Sequence, residues 1–176
     1  MTIRRRIVRK LNTIYWSLRG ATIGKNSAIN SGAEIGNPAK VKLGTQCDLG
    51  KQITLHCGQN GSFTLDDHSH IAPYGYFLID NNSVAIGHHV AIGPNCQFIC
   101  HSNSPRGRNE FFTENYEDGD IRIGNNVFIG GQCTLLPGTE IGDNVVIAAN
   151  SVVKGVLEGG FIYGGSPARK LKSVNE

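Results

Sequence analysis

The strongest constraint in this sequence is a six-residue repeat that runs through most of the chain. The large aliphatic residues of its clearest stretch are Ile123, Ile129, Leu135, Ile141, Ile147 and Val153. A helix turns one face inward about every 3.6 residues and a half-buried strand every second residue, so a period of six indicates short extended segments joined by regular corners. The repeat therefore predicts a coiled ladder of β-strands.

The remaining positions of the repeat agree with this interpretation. Glycine follows the aliphatic residue at Gly124, Gly130 and Gly142. Small or β-branched residues stand four positions after it, at Val127, Cys133, Thr139, Val145 and Ser151. We expect glycine at backbone corners and small side chains at tight inward positions. The same phase recurs in four earlier runs: Ile23 to Ile35, Leu43 to Leu55, Leu65 to Phe77 and Ile86 to Phe98.

The first 20 residues have a different pattern, with aliphatic side chains at helical spacing and six Arg or Lys residues. They predict a basic amphipathic helix at 1–20 that ends at Gly20. Two interpretations stay open: the helix caps the open end of the β ladder, or it lies on an anionic membrane surface. No stretch reaches transmembrane length, so we expect a cytoplasmic protein, with contact to the inner face of the membrane only through this helix.

Two further segments leave the repeat. Residues 101–120 are polar, contain Pro105, Gly107 and Gly119, and predict a long loop that extends from the ladder. Long loops on a rigid scaffold are often functional. Residues 21–165 then form one β domain that carries this loop. The end of the chain, 166–176, is a basic tail that either lies free in solvent or binds phosphate groups.

Composition excludes several classes of protein. A length of 176 residues suits one domain. The five cysteines are odd in number and form no C-x-x-C pair, which argues against a disulfide framework and a cysteine zinc site; the repeat places Cys47, Cys96 and Cys133 in the core. The net charge of +3 is concentrated at the chain ends, so we expect no nucleic-acid partner.

The candidate catalytic residue is His101, which stands where the regular repeat ends and the loop begins. A neutral imidazole can accept a proton from an alcohol or an amine. Counting one coil back places Asp80 beneath His101, where a carboxylate would orient the ring; the alternative is that Asp80 is an ordinary corner residue. Cys100 is a weaker candidate nucleophile, since free cysteines in such a stack are commonly small core residues.

The stretch IGNNVFIGGQCTLLPGTEIGDNVVIAANSVV at 123–153 closely resembles the hexapeptide-repeat acyltransferases, and in particular the maltose and galactoside O-acetyltransferases and those of polysaccharide biosynthesis. The resemblance covers residues 21–172 and implies an all-β, left-handed parallel β-helix. It also implies that His101 is the general base, with Asp80 in the matching LID segment. The family's asparagine before that segment is replaced here by Gly75, which is a departure on the acceptor side.

The same resemblance implies the cosubstrates. Acetyl-coenzyme A would lie between neighbouring subunits of a homotrimer, with the backbone of Gly131 and Ala149 along its pantetheine arm and Lys154, Arg169 and Lys172 near its phosphates. His101 would deprotonate a hydroxyl of a sugar or polysaccharide precursor, which attacks the thioester directly. No metal is required for this reaction.

Three other functions stay open at this point. One is N-acetylation of an amino sugar nucleotide. Another is a zinc enzyme like the γ-type carbonic anhydrases, because His68, His70, His88, His89 and His101 are available, although the paired spacing of those ligands is absent. The third is a non-catalytic scaffold, which predicts no binding of coenzyme A.

Overall fold

A computed structural model describes residues 3–176, with side chains from Arg6 onward. The chain winds as a parallel β-helix, in which each coil contributes one short strand to each of three sheets. We call the corner between the first and second sheets the first corner, that between the second and third sheets the second corner, and that between the third and first sheets the third corner.

The strands are short because each face of the coil holds only a few residues. The first sheet contains Thr22–Ile23, Val41–Leu43, Ser62–Leu65, Ser83–Ile86, Ile121–Ile123, Glu140–Ile141 and Val156–Leu157. The second contains Ala28–Ile29, Asp48–Leu49, His70–Ile71, Ala91–Ile92, Phe128–Ile129, Val146–Ile147 and Phe161–Gly164, followed by the antiparallel strand Arg169–Ser173. The third contains Glu34–Ile35, Thr54–Cys57, Tyr76–Asp80, Gln97–Ile99, Thr134–Leu135 and Val152–Val153.

The core is the aliphatic stack that the repeat predicts. Ile129, Leu135 and Ile147 are fully buried, each lying beside its equivalent in the next coil. The predicted small positions are buried as well: Val127, Cys133, Thr139, Val145 and Ser151. Removing this apolar surface from water is the main stabilising term in such a narrow fold.

The corner glycines have a different role from the one we expected. Gly130 does not adopt a positive φ; a Cβ there would lie 2.5 Å from the backbone nitrogen of Ala149 in the next coil. The left-handed conformation falls instead two positions later, on residues such as Asn126 and Asn144, with φ of 53° and 57°. Asparagine tolerates this region, so glycine serves close approach between coils.

The predicted helix is present as α1, Ile3–Leu18, and Gly20 ends it with a φ of 103°. Gly20 N–H donates to the Ser17 carbonyl and Ala21 N–H to the Trp16 carbonyl, which together form a Schellman motif. Trp16 is buried in the core, so the helix does cover the first coil. The first two predicted residues lie outside the described part. Within residues 3–176, no helix is both long and apolar enough to cross a bilayer.

The end of the chain is more ordered than a free tail. Arg169–Ser173 pairs antiparallel with Phe161–Gly164, so the β structure continues past the boundary expected at 165. In the last coil Tyr163 is the buried residue and Ile162 is only partly buried.

The loop 101–120 leaves the third corner and returns to it as a two-stranded antiparallel ribbon. His101–Asn103 pairs with Tyr116–Asp118, and a short 3₁₀ helix lies at Phe112–Glu114; a second such helix lies far away at Pro38–Lys40. The buried Asn115 side chain organises the tip through hydrogen bonds with the backbone of Asn109 and Phe111. The loop is therefore a structured element.

Candidate active site

His101 begins the outgoing strand of the ribbon, at the third corner. Its Nδ1 lies 2.8 Å from Oδ1 of Asp118, which ends the returning strand directly opposite. The imidazole stacks nearly parallel on the ring of Tyr116, with centroids 5.0 Å apart. The side chain of His101 is 30% exposed, so a substrate can reach it.

Asp118 is held as an anion by two donors. His101 and Asn82 both hydrogen-bond to this carboxylate, and these contacts lower the pKa of Asp118 below its usual value. An ionised carboxylate only accepts hydrogen bonds, so His101 carries its proton on Nδ1 when neutral. The lone pair of the neutral ring is then on Nε2, the nitrogen that can act as a base.

The expected contact between His101 and Asp80 is absent, and the orienting carboxylate is Asp118 instead. Asp80 sits in a left-handed corner with a φ of 50°, and its carboxylate accepts a hydrogen bond from the Asn81 amide at 3.3 Å. Asp80 therefore matches the alternative of an ordinary corner residue.

Sequence reasoning missed Asp118, Asn82 and Tyr116. One signal could have found Asp118. A loop that leaves and re-enters a solenoid at the same corner must bring its two ends together, and an antiparallel ribbon does this most simply. Residues just before Ile121 are then the natural partners of residues just after Cys100.

The two residues expected beside the pantetheine arm do lie together. Gly131 and Ala149 occupy equivalent positions of the second corner, one coil apart, and Asn150 N–H donates to the Gly131 carbonyl at 3.0 Å. Both positions lack large side chains, so this edge of the coil is narrow and open. They stand where the third sheet begins, whereas His101 stands where it ends.

The three expected phosphate ligands are separated. Arg169 pairs with Gly164, which lies against Ala148, so the backbone of Arg169 is near the second corner; its guanidinium donates to the Ala168 carbonyl at 3.2 Å. Lys172 pairs with Ile162 at the other end of the same strand. Lys154 lies at the third corner, where its ammonium contacts both carboxylate oxygens of Glu117 at 2.7 and 2.8 Å.

Cys100 is unsuited to nucleophilic attack. Its thiol is fully buried, and burial raises its pKa to about 12. The thiolate is the reactive form of cysteine, so this group stays protonated and unreactive near neutral pH. Its place in the structure is that of a core side chain.

Three of the five histidines of the zinc alternative lie together at the first corner, whereas His101 lies at the third corner. His68 stacks on His89 at the first corner, and His88 and His89 place their Nδ1 atoms 3.0 Å apart, far along the coil from His101. From residue 3 to the end, no three His, Cys, Asp or Glu side chains are grouped so as to hold a metal ion.

The repeat that builds the coil is shared with known bacterial proteins. Residues 120–155 match the family model described as bacterial transferase hexapeptide, six repeats. This match confirms the hexapeptide repeat in that stretch of the coil. One hexapeptide-repeat relative is the galactoside O-acetyltransferase of Escherichia coli, which is 30% identical over 150 residues. The match covers 82% of this chain and 65% of that enzyme, so the chain spans slightly less than two thirds of this relative's length.

Solved hexapeptide-repeat structures share the fold. AntD, an N-acyltransferase from Bacillus cereus in complex with dTDP and coenzyme A, superposes with a TM-score of 0.79 at 25% identity, covering 91% of this chain and 87% of that one. The acetyltransferase VCA0836 of Vibrio cholerae, solved with acetyl-coenzyme A, has a TM-score of 0.62 at 22% identity and covers 93% and 76%, which supports the fold alone. The predicted left-handed parallel β-helix is confirmed.

Proposed function

We propose that this protein transfers an acetyl group from acetyl-coenzyme A to a hydroxyl of a sugar or polysaccharide precursor. The observation that carries the proposal is the His101–Asp118 pair, which presents the Nε2 lone pair of a neutral imidazole at an open edge of the coil. The relation to an E. coli galactoside O-acetyltransferase supports the acceptor class, and AntD, which was solved with coenzyme A, supports the donor.

The chemistry needs one proton carrier. His101 Nε2 takes the proton of the acceptor hydroxyl while its oxygen attacks the thioester carbonyl carbon. Backbone N–H donors stabilise the resulting oxyanion. Collapse of the tetrahedral intermediate breaks the carbon–sulfur bond, and the imidazolium returns its proton to the leaving thiolate. The Asp118 carboxylate stabilises the imidazolium between these two steps.

The separation of the two half-sites supports a homotrimeric enzyme. Within one chain, His101 lies at the third corner and Gly131 and Ala149 at the second. A cyclic trimer brings different surfaces of neighbouring copies together, so the base of one subunit would face the donor corner of the next. Arg169 of that second subunit would then be the cation best placed for the phosphates.

The central test is turnover of acetyl-coenzyme A with a panel of sugars and sugar nucleotides, measured as thiol release. His101→Ala should bind the donor and lose about 10²–10⁴-fold in kcat. Ala149→Phe should raise KM for the donor, while Ala39→Phe, which changes another exposed alanine at the third corner of the first coil, should not. If the wild-type chain binds no coenzyme A, the proposal fails and a scaffold role replaces it.

Subunit mixing tests the shared site. His101→Ala and Ala149→Phe are each defective, but after refolding together roughly a quarter of the interfaces would combine an intact base with an intact donor corner. Recovery of turnover supports the shared site. No recovery in verified mixed oligomers would place both half-sites within one subunit.

N-acylation of an amino sugar nucleotide is the second candidate, favoured by the similarity to AntD. The AntD structures include one with dTDP-4-amino-4,6-dideoxyglucose and coenzyme A. An amine that is neutral at high pH needs no base to attack, so the rate of His101→Ala would recover with rising pH for an amine acceptor and stay low for a hydroxyl. The acceptor panel therefore includes both kinds of sugar.

A further inference from the structure

The face of α1 that points away from the β-helix carries a continuous apolar stripe. Its described members are Ile7, Leu11, Ile14 and Leu18, which are between 46% and 84% exposed. Their spacing of four, three and four residues places them on one side of a helix. Large aliphatic residues exposed together in this way mark an interaction surface.

This stripe is not the face that covers the first coil. Trp16 is buried, and Thr13 Oγ1 accepts a hydrogen bond from Ile29 N–H. Arg9, on the same face, forms an ion pair with Asp48. Ile7 and Trp16 are nine residues apart, about two and a half turns at roughly 3.6 residues per turn, so they project from opposite sides. The helix is docked by one face and leaves the other open.

Positive charge flanks the stripe. Lys10 borders it on one side and Arg19 on the other, and the sequence has no Asp or Glu before Glu34. Beside the helix lies a cleft of about 500 Å³ lined in part by Arg6 and Lys10, where negatively charged groups would be favoured. The first turn of α1 contains basic residues and no acidic residue, so nothing there offsets the positive end of the helix dipole. An external anion near this end would therefore stabilise the helix.

We propose that the exposed face of α1 binds the surface of an anionic phospholipid membrane. The aliphatic stripe enters the boundary between headgroups and acyl chains, while Lys10 and Arg19 extend to lipid phosphates. The partner is a lipid surface because a second copy of α1 would bring a second set of cations beside the first, with no acidic residue to offset them. A membrane surface supplies both the apolar phase and the negative charge.

The test is flotation of the full chain with vesicles of phosphatidylcholine alone and of phosphatidylcholine mixed with phosphatidylglycerol. The wild type should float only with the anionic vesicles and release in high salt. Lys10→Gln with Arg19→Gln should weaken partitioning about thirtyfold. Leu11→Ser with Leu18→Ser should weaken it at least about tenfold. Val156→Ser, which changes an equally exposed aliphatic residue far from α1, should have no effect.

Folding and activity controls keep the result interpretable. Trp16 is the only tryptophan, so its emission reports whether α1 stays docked in each variant. Acetyl transfer to a soluble acceptor should be unchanged in the helix variants, which separates this proposal from the proposed function. Equal flotation of wild type and the Leu11 and Leu18 variant would overturn the proposal. So would loss of oligomers in that variant without loss of flotation, because the stripe would then be a subunit interface.

Discussion

Asp118 ends one strand of the ribbon and His101 begins the other, and the two side chains meet because the strands are paired residue for residue. The imidazole is fixed from two sides, by the carboxylate at Nδ1 and by the Tyr116 ring against its face. The orientation of the imidazole is therefore set by two residues of the loop, and Asn82 of the coil beneath hydrogen-bonds to the same carboxylate.

Replacing Asp118 by Asn should lower kcat about fivefold and leave KM for the donor unchanged. The pair is half exposed, and such ion pairs are worth up to roughly 1 kcal/mol, which corresponds to about a factor of five in rate. Steady-state kinetics measure the loss. Glu114→Gln, which removes another carboxylate of the loop, is the matched control; an equal loss in both variants would show that loop charge, and not the pair, is responsible.

Acid should remove the stabilisation that Asp118 provides. Because hydrogen bonds from His101 and Asn82 lower its pKa in the folded chain, its contribution is complete above the unfolded value of about 4 and is lost as pH falls through the folded value. The difference in Tm between wild type and Asp118→Asn should therefore shrink below about pH 4. A difference that stays constant between neutral pH and pH 3 contradicts the linkage.

Lys154, which pairs with Glu117, has two candidate roles: to hold the ribbon in place or to bind the phosphates of the donor. If Lys154 only holds the ribbon, Lys154→Gln and Glu117→Gln should impair turnover alike, and exchanging the two charges should restore part of it. If Lys154 also binds donor phosphates, Lys154→Gln alone should raise KM for acetyl-coenzyme A. The contacts of 2.7 and 2.8 Å lead us to expect the first outcome. Because the pair is exposed, either change should cost less than about 1 kcal/mol of stability.

Cys100→Ala should keep kcat within about twofold of wild type. Burial raises the pKa of this thiol to about 12, so it contributes no thiolate to the reaction. The measurement is turnover together with mass spectrometry of the chain after incubation with donor. An acetylated Cys100, or a large loss of kcat in the variant, would support the alternative in which Cys100 is a covalent nucleophile.

The six-residue period was sufficient to predict the coil, the core and the start of the loop. This is because the inward-facing positions recur at the same spacing whatever residues lie between them. It could not supply the partner of His101. Counting residues per coil predicted Asp80, one coil below, as the partner of His101. The contact is made instead by Asp118, which lies on a ribbon outside the six-residue repeat. Likewise the helical spacing of Leu11 and Leu18 showed an apolar face but not its direction, which is decided by Trp16 entering the core.

The coils on either side of the ribbon keep their register without interruption. Val84 lies beside Ile121 and Ile86 beside Ile123, as if residues 101–120 were not there. The ribbon is thus an insertion at one corner of the β-helix that leaves the pairing of the coils unchanged. Its length and sequence can change while the coils above and below stay in place, so the surroundings of His101 can vary without any change at the second corner, where Gly131 and Ala149 lie.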